Sequence, residues 1–151
     1  MIHFDVKWVF PAKKIKKEWF KKVIEKTLKM VRKKEEIELS IAIVDESTIK
    51  KLNKKYHGVD KVTDVLSFNY QLSTNNYQLL KQIGEIVICY PQAKRQAKLY
   101  KHSTKEEIKL LLIHGLLHLC GYDHKEAKGA NVMQRLEGKI IERLKNHFSG
   151  L

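Results

Sequence analysis

The sequence predicts an α+β fold, a small mixed sheet of about four strands packed by helices, with a metal site on one helix and its following turn. Short stretches with a period of two fall in the amino-terminal part of the chain. Longer stretches with helical periodicity flank and follow them. One apolar run, IKLLLIHGLLHLC, carries histidines at helical spacing. At 151 residues the chain fits one domain, 1–151, able to bury a real core.

The elements follow in order. His3 to Phe10 alternates apolar and polar residues and reads as a strand. Pro11 is expected to open a helix that places Trp19, Phe20, Val23, Ile24, Leu28 and Val31 on one side and a solvated lysine face on the other. Glu38 to Val44 is β-branched and strand-like. Ser47 is expected to cap a short helix that Gly58 ends. Val65 to Tyr70 makes a third strand, polar QLSTNNYQ a loop, and Gly84 to Tyr90 a fourth strand. Pro91 suits the start of the next helix. Ser103 and Glu106 form a capping box before the apolar run, which should end at Cys120 with Gly121 as the left-handed stop. A last helix from about Ala130 to His147 puts Val132, Met133, Leu136, Ile140, Ile141 and Leu144 on one side.

Composition narrows the function classes. The hydrophobic share of 43% and the periodic segments exclude a disordered chain. No apolar run spans a bilayer, and MIHFDVKWVF lacks the pattern of a secretory signal, so a soluble, cytoplasmic protein with no membrane partner is expected. Two cysteines, Cys89 and Cys120, are too few for a disulfide framework and are expected as buried thiols. The net charge of +13 favours phosphate polyanions as partners. Nearly all of that charge is lysine, which compositional drift alone could produce.

The chemistry concentrates in HGLLHLCGYDH. His114 and His118 share one helix face a turn apart, so a rigid backbone can present both imidazoles to one ion. Gly121 reverses the chain and can return His124 toward the same point. Three histidines leave a tetrahedral ion one open position, as in catalytic sites. A lone histidine on an apolar helix is usually a core residue, but three at this spacing point to a metal. The spacing is also that of a long zinc-protease signature. Gly115, however, stands where H-E-x-x-H enzymes carry their glutamate base, and Met133 reads more simply as a core residue than as a Met-turn.

These motifs resemble the YbeY family of metal-dependent endoribonucleases. Three blocks carry the resemblance: HGLLHLCGYDH at 114–124, LNKKYHGVDKVTDVLSF at 52–68 and IGEIVIC at 83–89. They cover nearly the whole chain in the family's order. The resemblance implies a zinc ion held by His114, His118 and His124. It implies a single-stranded RNA substrate, near the small-subunit ribosomal RNA end, with the ribosomal particle or its assembly factors as partners.

One departure bears on the chemistry. Where the family carries an arginine after Leu-Asn-x-x-Tyr, this chain has His57, and a histidine offers one directed donor in place of a permanent bidentate fork. His57 can contact a phosphate or act as an acid or base, with Lys54, Lys55 and Lys61 adding positive charge, or it can be a surface residue. Val62 replaces the family's proline before Thr-Asp, which alters loop stiffness more than chemistry. Asp123 can orient a histidine or stabilise the turn. Asp64, Ser67 and Glu85 suit turn and strand-end roles as well as catalytic ones, and Tyr122 should pack on the turn. The expected function is a zinc-dependent endoribonuclease of ribosomal RNA processing and ribosome quality control. The alternatives are a non-catalytic assembly factor with a structural metal, or another metal-dependent hydrolase.

Overall fold

The computed structural model describes residues 2–12, 14–31, 36–73, 80–122 and 127–148, with side chains throughout except at 70–73, 80–83, 127 and 146–148. Along the chain run β1 (Ile2–Trp8), α1 (Lys17–Met30), β2 (Ile37–Val44), α2 (Glu46–His57), β3 (Val65–Ser73), β4 (Leu80–Cys89), α3 (Tyr90–Leu99), α4 (Thr104–Leu119) and α5 (Ala127–Phe148). The sheet order is β1-β2-β4-β3. β1, β2 and β4 are parallel, and only β3 runs antiparallel, beside β4. The expected α+β architecture with a mixed sheet is therefore observed.

Strand alternation divides the sheet between two helical layers. Ile41, Ile43, Ile86 and Ile88 face the main core, where α1, α4 and α5 pack. Val44, Leu66, Val87 and Cys89 face the opposite way, onto Ile49 and Leu52 of α2. In α1 the buried residues Phe20, Val23, Ile24, Thr27 and Leu28 repeat at helical spacing. Buried Thr27 satisfies its hydroxyl on the Val23 carbonyl at 2.7 Å.

α4 is apolar nearly all round because it lies between the sheet and the other helices. Of residues 107–119 every one is buried except Leu110, His114 and His118. Those three fall at i, i+4 and i+8, so the one accessible stripe of this helix carries both histidines. Leu112, fully buried in α4, measures the worth of this packing. Leu112→Ala should cost about 2–5 kcal/mol in urea unfolding.

Element boundaries differ from the sequence reading in physically explicable ways. Pro11 does not open α1; the helix begins at Lys17 after a non-helical approach. Asp45, not Ser47, caps α2: its carboxylate accepts from the Thr48 N–H at 2.9 Å, and Ser47 lies inside the first turn. Both are good caps, and the ionised carboxylate is the stronger acceptor. Gly58 ends α2 in the left-handed conformation, as expected. β3 runs on to Ser73 and β4 begins at Leu80, because backbone pairing in the hairpin continues through polar residues. α5 starts at Ala127, a turn before its apolar stripe.

The Ser103 cap of α4 is present, accepting from the Glu106 N–H at 3.0 Å. The reciprocal half of the box is replaced, since the Glu106 carboxylate binds Lys109 Nζ at 2.7 Å. Ser103→Ala should therefore destabilise the protein by about 1 kcal/mol in the same unfolding assay. Cys89 is buried, and that burial pushes its thiol pKa up, whereas Cys120 is only half-buried. Among the described residues no helix is long and apolar enough to cross a membrane.

Candidate metal centre

Two facts of α4 aim the histidines. Its close seat on the sheet fixes the helix, and its carboxyl end closes in a Schellman turn. The Gly121 N–H donates to the His118 carbonyl and the Tyr122 N–H to the Leu117 carbonyl, both at 3.0 Å. Gly121, at φ 95°, supplies the left-handed residue that this turn needs. Tyr122, expected to pack on the turn, packs against the main core.

Gly115 is what brings α4 onto the sheet. A Cβ added there would lie 3.1 Å from Ile86 Cγ2 and 3.2 Å from Ile86 Cδ1. The side of α4 that would carry the glutamate of a metalloprotease is thus occupied by β4. The base is missing because its position is a helix–sheet contact, and Met133 is buried in the core of α5.

The His114 and His118 rings meet edge to face, with centroids 4.7 Å apart and planes at 75°. Their Nε2 atoms are 3.1 Å apart. Two nitrogens bound to one tetrahedral zinc at ordinary bond lengths are separated by about 3.3 Å. The pair thus already has the bite of two ligands to one ion. Imidazole donors suit zinc, copper, iron or nickel.

The tautomer is set by a residue that the sequence reading did not single out. His114 Nδ1–H donates to Glu137 Oε1 at 2.6 Å. A carboxylate can only accept, so the proton of the neutral ring sits on Nδ1 and the lone pair on Nε2. This is the outer carboxylate that metal-binding histidines ordinarily carry. Glu137 raises the His114 pKa above its ordinary value, against an opposing effect of burial and with smaller help from Asp64. A signal for Glu137 did exist: it lies between Met133 and Ile140 on the buried stripe of α5, where a carboxylate needs a partner.

Asp64 stands at the start of β3 in a polar network. Its Oδ1 accepts from the Val65 N–H at 2.8 Å, and its Oδ2 accepts from Gln96 Nε2 at 3.3 Å. The same amide donates to Glu107 Oε1 at 2.8 Å. Glu107 is 4% exposed and takes His102 as its other partner. The network holds the Asp64 carboxylate where its charge favours protonated His114.

The remaining sequence candidates are scattered. His57 ends α2, exposed, and stacks on Phe68 with ring centroids 6.0 Å apart. Phe68 belongs to the α2 side of the sheet, so His57 stands across the edge strand from α4. Lys54, Lys55 and Lys61 are exposed beside it, with Lys54 3.9 Å from Asp60 and the Lys61 carbonyl accepting from Asn53 Nδ2 at 3.0 Å. Lysines in a last helical turn also suit the helix dipole, a structural reason for their presence. Glu85 pairs with Phe68 on the face away from α4. Asp123 and His124 lie outside the described residues. Among the described residues no group of three His, Cys, Asp or Glu is placed to hold a metal.

Comparison with known proteins shows the family. The family model described as Endoribonuclease YbeY matches residues 6–145. Endoribonuclease YbeY of Persephonella marina is 42% identical over 136 residues, covering 89% of this chain and 88% of the relative. That of Buchnera aphidicola subsp. Schizaphis graminum is 37% identical over 131 residues, covering 87% and 78%. The solution structure of TM1509 from Thermotoga maritima superposes with a TM-score of 0.60 at 25% identity, covering 99% of this chain and 93% of that one.

Proposed function

The chain belongs to the YbeY family of endoribonucleases, and from that premise we propose that it is a zinc-dependent endoribonuclease. Its substrate is single-stranded RNA in the bacterial cytoplasm, at the 3′ end of the small-subunit ribosomal RNA, and its work extends to ribosome quality control with the small-subunit particle as partner. The observation that carries this reading is the His114–His118 pair on the one accessible stripe of an otherwise buried helix, its Nε2 atoms 3.1 Å apart.

His114, His118 and His124 would hold the zinc ion. When bound, zinc polarises a phosphate oxygen or lowers the pKa of a bound water. The chain's own residues do the rest. Glu137 keeps the His114 lone pair on Nε2, and the packed flanks of α4 keep both rings from turning away. Lys54, Lys55 and Lys61 neutralise backbone phosphates beside the α2–β3 loop. His57, on its Phe68 platform, donates to a phosphate or moves a proton, and Asp123 orients a ligand histidine.

The test incubates purified protein with ribosomal RNA fragments, with and without chelator. Chelator-sensitive cutting is expected. RNA binding without cutting by metal-loaded protein would overturn the proposal and favour a non-catalytic assembly factor, a reading that His57 in the arginine position keeps open.

A further inference from the structure

We propose a second, RNA-anchoring subsite in the basic cavity where the amino ends of α1, α3 and α4 meet. The cavity has a volume of about 770 Å³. Its described lining includes Lys14, Lys16, Lys22, Lys105, Lys109 and Trp19, with Glu18 and Glu106 as the only carboxylates. Lys16 immediately precedes α1, Tyr90 opens α3, and Ser103 and Thr104 start α4, so three helix amino ends contribute to one opening.

The first turns of α1 and α4 keep their ordinary acids, Glu18 and Glu106, yet the wall as a whole carries excess positive charge. Helix amino ends carry partial positive charge and usually attract acidic side chains. Here lysines outnumber carboxylates five to two on the described wall. A lysine-rich solvated face would explain Lys14 or Lys16, whereas Lys109 is a buried, ion-paired member of the wall. Lys109 is 4% exposed and is held by Glu106 at 2.7 Å. Lysine is buried to that degree almost only when paired, and the pair with Glu106 fixes this one at the wall. Lys105 Nζ lies 5.7 Å over the ring of Trp19, which rests edge-on against Phe20 at 5.0 Å. The lysines therefore share one wall, and an anion bound there would offset its excess positive charge. Tyr90, which directly follows β4, also lines the cavity.

The occupant is an RNA backbone segment, an assignment that rests on the endoribonuclease reading. Lys105 and His114 are nine residues apart on α4, about 14 Å along its axis and on different sides of it. The cavity therefore takes phosphates distant from the scissile bond. It would select long ribosomal RNA over short strands without reading sequence.

The experiment compares wild type with the double reversal Lys16→Glu/Lys105→Glu, and with Lys139→Glu/Lys145→Glu on α5 as an equal-charge control. Affinities are measured over a salt series for a ribosomal RNA fragment and for a strand of about 4 nucleotides, the lower end of single-strand site sizes. For the cavity variant the ratio of long to short affinity should fall about tenfold or more. Its log–log salt slope for long RNA should shrink by about 1.4, at about 0.7 for each phosphate that a lysine no longer neutralises. Thermal stability should hold or rise, because acids suit helix amino ends. Equal affinity and slope in wild type and cavity variant would overturn the proposal, as would an equal loss in the α5 control. A Trp19 fluorescence titration with inorganic phosphate and a nucleoside monophosphate adds one arm. Lysine-dependent binding of the monophosphate, with unchanged affinity for long RNA, would make this a nucleotide site and overturn the RNA assignment. Absence of cutting by wild type would contradict the enzyme reading alone, because these affinities are read without cutting.

Discussion

Gly115→Glu, which restores the protease signature letter for letter, is expected to unfold the domain without creating a peptidase. The new Cβ would sit 3.1 Å from Ile86 Cγ2 before the rest of the side chain is placed. A carboxylate would then have to enter an apolar contact made by Ile86. Such burial costs several kcal/mol unless the group stays protonated or the helix lifts from the sheet. A stability loss of more than about 3 kcal/mol in urea unfolding is expected, with no casein hydrolysis. Gly115→Ala separates crowding from charge. Alanine gains about 1 kcal/mol of helix propensity, which offsets the few tenths of an ångström that Ile86 must yield, so its net change should stay within about 1 kcal/mol. A Gly115→Glu protein as stable as wild type would show that α4 does not sit on β4 as described.

Glu137→Ala is expected to lower metal affinity about 10–100-fold while the fold persists. The residue reaches the site only through His114 Nδ1, across 2.6 Å. Without it the imidazole proton is no longer directed to Nδ1, and the lone pair is shared between the two nitrogens. Glu137→Gln keeps an oxygen that can accept from Nδ1–H, so it should retain more affinity than alanine. Competition with a coloured chelator gives the affinity independently of any activity, and circular dichroism checks the fold. Equal affinity in Glu137→Ala and wild type would remove the positioning role.

How much of this was legible in the sequence depends on the range of the interaction. His114 and His118 were legible because four residues on a helix fix two side chains against each other whatever the rest of the chain does. The α4 stop was legible for the same reason, since Gly121 and the Schellman turn are local. β1 was legible from its alternation and β2 from its β-branched run, since β2 and β4 are buried on both faces. Glu137 was not singled out, although it lies on a buried stripe, because its partner is 23 residues away across a turn. The steric meaning of Gly115 was also hidden. The sequence reveals a missing base, but only the contact with Ile86 explains why glutamate has no room. The choice of Asp45 over Ser47 as cap turned on which acceptor reaches the Thr48 N–H, a matter of a few degrees of backbone.

The proposed function makes the His114–His118 pair the metal site through which RNA is cut. Its most direct measurement is chelator-sensitive cutting of a ribosomal RNA fragment by wild type and by His114→Ala, with bound metal counted in both. The variant should lose most of its metal, and its cutting rate should fall by at least about 100-fold, beyond what an outer partner such as Glu137 would cost. Chelator-sensitive cutting by His114→Ala at the wild-type rate would contradict the proposed function.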